Sequence, residues 1–111
     1  AYQSMYEKQE NSLNLENKLD INYSMNKQVV ELNFPQELSN INGEILFYRA
    51  NDKKKDMTFK ILLSNNNEME IPTENLALGQ WKIEVDWTSN ETPYFDSKTI
   101  EIEPSNEIGK S

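Results

Sequence analysis

The stretch that decides the fold is residues 81–87, which read Trp-Lys-Ile-Glu-Val-Asp-Trp. Apolar side chains fall at every second position from Trp81 to Trp87, and charged side chains occupy the positions between them. Successive side chains of a β-strand point to opposite faces of the sheet, so this period of two predicts a strand with one buried and one solvated face. We therefore expect residues 81–87 to form the central strand of a sheet.

The same alternation recurs on both sides of this stretch, in short apolar runs bounded by turn residues. These runs predict six further strands, near residues 19–25, 30–34, 44–50, 57–63, 69–71 and 94–103. Seven short strands with turn signals at close intervals favour an all-β domain, an immunoglobulin-like antiparallel β-sandwich. An open barrel is the alternative architecture.

One helical pattern precedes the strands. Tyr2, Met5, Tyr6, Gln9 and Leu13 fall on one face of a short N-terminal helix. Such a helix is marginal in isolation, so it either docks on the domain or continues a helix from upstream, and the second arrangement is favoured here. The predicted division of the chain is a helix or stalk over residues 1–17, a sandwich over 18–104 and a disordered tail over 105–111.

The composition excludes several classes of function. The 111 residues include no His and no Cys, which removes the usual imidazole base, the thiol nucleophile and most transition-metal sites. Nineteen acidic residues against eleven Lys and Arg give a net charge of −8, which is unsuited to binding nucleic acid. We therefore expect a protein that is not an enzyme and has no catalytic, cofactor-binding or metal-binding residues.

Three sets of side chains are candidate sites. Trp81, Trp87, Tyr94 and Phe95 could form a stacking platform for a sugar, although the strand phase of Trp81 favours the core. An acidic set falls on strand positions that we expect to be outward and solvated, which disfavours glycoside hydrolysis. A methionine set could bind Cu(I), but its spacing favours ordinary packing. The acidic set is Glu84, Asp86, Asp96, Glu101 and Glu103, and the methionine set is Met5, Met25, Met57 and Met69.

Three segments resemble the FixH (CcoH) family. Residues 76–94, LALGQWKIEVDWTSNETPY, resemble a turn that enters a strand ending in Asp-Trp and is followed by an aromatic pair. Residues 41–61, INGEILFYRANDKKKDMTFKI, are similar to a strand of that family ending at Arg49, and residues 1–14 are similar to a Tyr-rich segment that follows a single transmembrane helix in Bacteroidetes-type members. The resemblance spans residues 1–103. It departs from the family at Asn90-Glu91-Thr92, where Asn-Gly-Lys is frequent, and at Ala50, where Pro is usual.

The resemblance implies a membrane-anchored accessory protein on the periplasmic side of the bacterial inner membrane, attached through a transmembrane helix upstream of Ala1. It makes residues 1–17 a juxtamembrane helix or stalk. Such a protein assists assembly or maturation of cbb-type cytochrome c oxidase by protein–protein contacts. Its implied partners are membrane oxidase subunits or the copper-transporting ATPase of the same system. Family-motif residues that could take part in an interaction are Arg49, Gly79, Trp81, Asp86, Trp87, Tyr94 and Phe95.

The expected contact surface is an exposed sheet edge or the aromatic end near Trp87, Tyr94 and Phe95. Two alternatives remain open from the sequence. The four methionines would suit a periplasmic copper-binding carrier, and the aromatic residues would suit a carbohydrate-binding or surface-binding β-sandwich module.

Overall fold

A computed structural model describes residues 4–49, 52 and 56–104. One helix and seven strands lie in this part of the chain. They are α1 (Met5–Leu13), β1 (Asp20–Ser24), β2 (Val29–Asn33), β3 (Ile41–Tyr48), β4 (Met57–Lys60), β5 (Glu68–Pro72), β6 (Gly79–Ser89) and β7 (Thr92–Ile102). The expectations placed on Tyr2, on Ala50 and on a tail over 105–111 lie outside the described residues.

The seven strands form two antiparallel sheets. One sheet has three strands in the order β1-β2-β5, and the other has four in the order β4-β3-β6-β7. The chain crosses between the sheets after β2, after β4 and again after β5, which is a Greek-key connection of the immunoglobulin-like sandwich. The predicted all-β sandwich is therefore confirmed, with a short helix before it.

The core lies between the two sheets and follows the period of two read from the sequence. In β6 the side chains at odd-numbered positions from Trp81 to Trp87 are buried, whereas Lys82 and Asp86 are exposed. The opposite sheet contributes Val30, Leu32 and Ile71 to the same core. Burial of this apolar area is the main stabilising contribution to the fold.

The β6–β7 hairpin is the longest pairing of the molecule. It runs from Gly79 opposite Ile102 to Ser89 opposite Thr92, and a two-residue turn, Asn90-Glu91, closes it. Both turn residues have positive φ, 50° and 71°, as a type I′ turn requires. This turn matches the right-handed twist of the strands, which is why so short a connection joins two eleven-residue strands.

The largest differences from the expected strand boundaries are at the start of β3 and the end of β4. β3 begins at Ile41, earlier than expected, because Asn42 and Gly43 pair with Thr88 and Trp87 in the ladder. β4 ends at Lys60, and Ile61 donates a last backbone hydrogen bond to the Gly43 carbonyl before the chain crosses to the other sheet. Beyond the end of β4, Ile61 is still buried in the core, whereas Leu62 is exposed.

The N-terminal helix docks on the sandwich. It begins at an N-cap, Ser4, whose hydroxyl accepts from the Glu7 amide while the Glu7 carboxylate accepts from the Ser4 amide, which is a capping box. The backbone of Ser4 is extended (φ −74°, ψ 159°), so α1 does not continue through it as helix. The favoured expectation of a helix running on from upstream is wrong at this residue, and the weighed alternative of docking is what the structure shows.

The docked face of α1 is not the one that the apolar pattern indicates. Met5, Tyr6 and Leu13 are 45%, 69% and 68% exposed, whereas Ser12 is buried against β7. The reason is that the sandwich offers α1 polar partners at this edge, described below. Among the described residues no helix is long and apolar enough to cross a membrane.

Candidate functional site

The motif residues identified in the sequence lie in two clusters at opposite ends of β6. Arg49, Gly79 and Trp81 are at the start of β6, and Asp86, Trp87, Tyr94 and Phe95 are at its far end and on β7. Trp87 lies six residue steps along the extended strand from Trp81, a distance of about 20 Å at ~3.4 Å per residue. The structure therefore does not bring the seven residues together into one site.

In the first cluster the Arg49 guanidinium covers the Trp81 ring. Its Cζ lies 5.3 Å from the ring centroid, a cation–π distance, and Trp81 is 1% exposed. The indole Nε1 donates to the Ala77 carbonyl at 2.8 Å. Gly79 has a φ of +111°, and a Cβ there would lie 2.7 Å from Arg49 Nη2, so the glycine leaves room for the guanidinium. These contacts make the cluster a closed end of the core.

A depression of about 460 Å³ lies beside this cluster. It carries two carboxylates, those of Asp56 and Glu74, and Trp81, the one aromatic residue among the described residues of its lining, is nearly inaccessible. Sugar recognition relies on an exposed aromatic face, and this depression does not provide one. Its lining is Asp56, Met57, Glu74, Asn75, Leu76, Ala77 and Trp81.

In the second cluster three aromatic rings pack on one another. Trp87 and Tyr94 stack with centroids 4.4 Å apart, and Phe34 meets Trp87 edge-on at 5.0 Å. Trp87 is 1% and Tyr94 is 7% exposed. The expected aromatic contact surface is therefore corrected for two of its three residues: Trp87 and Tyr94 are core residues, because β6 continues past Trp87 to Ser89 and Phe34 covers the ring. The stacking platform for a sugar fails for the same reason. Phe95 is half-buried on the other face of β7, opposite Asp86.

Asp96 connects this aromatic cluster to α1. Its Oδ2 accepts from Trp87 Nε1 at 2.9 Å and from the Ser12 hydroxyl at 3.0 Å. The Ser12 Oγ in turn accepts from the Phe95 amide at 3.1 Å. The expectation that Asp96 is an outward, solvated carboxylate is wrong, because it is partly buried opposite Val85 and satisfies the indole of a buried tryptophan.

The rest of α1 follows the free edge of β7. Asn11 Nδ2 donates to the Pro93 carbonyl at 2.8 Å, and this carbonyl and the Phe95 amide belong to alternate residues of the strand, so both face away from β6. Lys8 Nζ completes the contact with an ion pair to Asp86 Oδ1 at 3.0 Å. Side chains of α1 thus satisfy edge groups that would otherwise be open to another strand.

The remaining residues of the acidic set lie apart: in the β6–β7 ladder Glu84 is opposite Ser97, whereas Glu101 is opposite Gln80. Glu84 accepts from the Tyr48 hydroxyl at 3.2 Å. Burial, followed by the charge and hydrogen bond of Glu84, raises the pKa of the Tyr48 phenol above its ordinary value of 10.0. Glu101 and Glu103 are exposed, as expected. No group of three or more carboxylates in the part of the chain that the structure describes could hold a metal ion.

The four methionines are distributed over the molecule. Met5 lies in α1, Met25 in the turn between β1 and β2, Met57 in β4 and Met69 in β5. α1 contacts β7, at the opposite edge of the four-stranded sheet from β4, and Met25 and Met69 are at opposite ends of β2. The structure therefore does not gather these thioethers into a soft metal site.

Sequence reasoning missed Ser12, Lys8 and Asp96 as the residues that join α1 to the sheet. Two signals could have found them. Lys8, Ser12 and Leu15 recur at helical spacing, as do the apolar residues of the other face. Asp96 shares the parity of Tyr94, Ile100 and Ile102 in β7 and therefore belongs to the inward face.

The family model described as FixH matches residues 1–101 of the chain. This range includes α1, all of β1 to β6 and β7 up to Glu101, so the match covers both clusters and the helix together. No curated protein and no solved structure matches the chain significantly.

Proposed function

Because this chain belongs to the FixH family, we propose that it is a non-enzymatic accessory protein for assembly or maturation of cbb-type cytochrome c oxidase. It acts through protein–protein contacts of its sandwich domain. Its place of action is the periplasmic face of the bacterial inner membrane, where an upstream helix anchors it. Its partners are membrane oxidase subunits or the copper-transporting ATPase of the same system.

The observation that carries this proposal is the FixH match over residues 1–101. The packing supports a binding role over a reactive one. Trp81, Trp87 and Tyr94 are used to fill the core, and Asp96 is used to hold α1 on the sheet. The motif side chains thus support the fold, and we expect other proteins to contact the surface around these side chains.

Co-purification and deletion test the proposal. The full-length protein, tagged and gently solubilised from its own membranes, is expected to bring down oxidase subunits, and deletion of its gene is expected to lower the oxidase content. Trp87→Ala should behave like the deletion because it empties the core, whereas Leu62→Ser, at an exposed position, should behave like wild type. Normal oxidase content in the deletion strain, with no subunit co-purified, would refute the proposal.

A further inference from the structure

The outward face of α1 presents apolar side chains to water. Tyr6 and Leu13 are more than two-thirds exposed and Met5 is nearly half exposed. A helix on a globular domain ordinarily turns its apolar stripe to the core, whereas α1 leaves Tyr6 and Leu13 in solvent and buries Ser12. Exposed apolar side chains grouped on one face are characteristic of interaction surfaces.

The charges on this segment are arranged so that the outward face is negative. Lys8 is half-buried and pairs with Asp86, and Lys18, which is exposed, donates to the carbonyls of Leu13 and Leu15 at the end of the helix. The carboxylates of Glu7, Glu10 and Glu16 remain exposed beside the apolar stripe. The helix therefore offers apolar contact bordered by negative charge.

We infer that Met5, Tyr6 and Leu13 form a docking surface for a protein segment whose own apolar stripe is bordered by Lys or Arg. We choose this partner because its Lys or Arg side chains would complement the carboxylates beside the apolar side chains of α1. An anionic lipid surface is repelled by the same carboxylates. A second copy meeting this face by two-fold symmetry would set Glu7 and Glu10 against their own equivalents. The inference rests on the proposed function, since it names the surface by which the accessory protein contacts its partner.

Site-specific photo-crosslinking in the full-length protein, in its own membranes, tests the surface. A photoreactive amino acid is placed at Tyr6, at Leu13 and, as a control, at Leu62, which is 77% exposed and lies beyond β4 at the opposite edge of the sheet. Crosslinks at Tyr6 and Leu13 are expected to exceed those at Leu62 several-fold and to map to a protein segment with apolar residues flanked by Lys or Arg. Glu10→Lys and higher salt should both lower the yield.

Crosslinks to lipid or to a second copy, or yields equal to those at Leu62, would overturn the inference. Tyr6→Ser and Leu13→Ser serve as a second measurement, because both positions are exposed and the variants should keep the wild-type Tm. If oxidase co-purifies with these variants undiminished and the crosslinks are missing, the surface is wrong and the proposed function stands. If crosslinks map to a basic-flanked segment of a protein that is neither an oxidase subunit nor the copper-transporting ATPase, the surface stands and the proposed function fails.

Discussion

Removing the Asp96 carboxylate should loosen both a buried tryptophan and the N-terminal helix. In Asp96→Ala the Trp87 indole N–H loses its acceptor while the ring stays 1% exposed, and the Ser12 hydroxyl loses its acceptor as well. Leaving a buried donor unpaired costs about 1–3 kcal/mol, and a hydrogen bond to a charged group is worth about 1.5–3 kcal/mol. Since Asp96 is only partly buried, we expect the variant to lose about 2–4 kcal/mol of unfolding free energy.

Urea unfolding followed by circular dichroism measures this loss, with Glu101→Ala as the matched control. Glu101 is an exposed carboxylate on the same strand, so its removal should change the unfolding free energy by less than about 0.5 kcal/mol. Asp96→Asn keeps an acceptor oxygen and should fall between the two. Hydrogen exchange of the Trp87 indole should accelerate in Asp96→Ala and remain slow in Glu101→Ala.

A double-mutant cycle shows whether the bond to the indole is the cause. Trp87→Phe removes the donor but keeps an aromatic ring, so the cost of losing Asp96 should be smaller in that background by at least about 1 kcal/mol. If Asp96→Ala is no more destabilising than Glu101→Ala, or if the two losses simply add in the cycle, the reasoning is refuted.

Three further predictions concern the backbone and Tyr48. Glu91→Gly should stabilise the hairpin by about 0.5–1 kcal/mol in urea unfolding, since Glu91 has a φ of 71° that glycine adopts without strain; an unchanged midpoint would contradict this. Gly43→Ala should lower the unfolding free energy by about 2–3 kcal/mol, more than Gly79→Ala does. The reason is that a Cβ at Gly43 overlaps the Asp86 backbone carbonyl, whereas a Cβ at Gly79 meets the movable end of the Arg49 side chain. Equal losses of unfolding free energy in the two variants would count against this prediction. Tyr48 favours its neutral form in the fold, so its contribution to stability is complete below pH 10.0 and is lost as pH rises through the raised pKa. A phenol absorbance titration of wild type against Tyr48→Phe should show this, and Glu84→Gln should bring the pKa down.

Strand alternation was sufficient to predict most of the sandwich. The apolar residues of β6 were correctly assigned to the core, because alternate side chains of a strand lie on one of only two faces. Trp87 was harder to assign than Trp81, since its burial depends on Phe34 and Tyr94, which approach from other strands. Tertiary contacts of this kind leave no periodic signal in the strand that receives them.

The helix shows a different limit of sequence reasoning. Its apolar spacing correctly indicated a helix with two unlike faces, but it did not tell which face meets the sheet. That choice depends on what the β7 edge offers, namely the Pro93 carbonyl, the Phe95 amide and the Asp96 carboxylate. The docking of α1 depends on a few directional hydrogen bonds. Hydrophobic periodicity indicates only where apolar surface lies, so it does not predict such bonds.

The position of α1 against β7 also limits where a further strand could pair with the edge of this sheet. A protein that recruited the chain by adding a strand to β7 would find the first part of the strand occupied, because Asn11 and Ser12 already hold the backbone groups of Pro93 and Phe95. Only the stretch from Ser97 onward is left for such pairing. A fragment beginning after α1 would uncover the whole length of β7 and create a template for self-association, so truncation of the N-terminus is a route to aggregates and not only to a shorter domain.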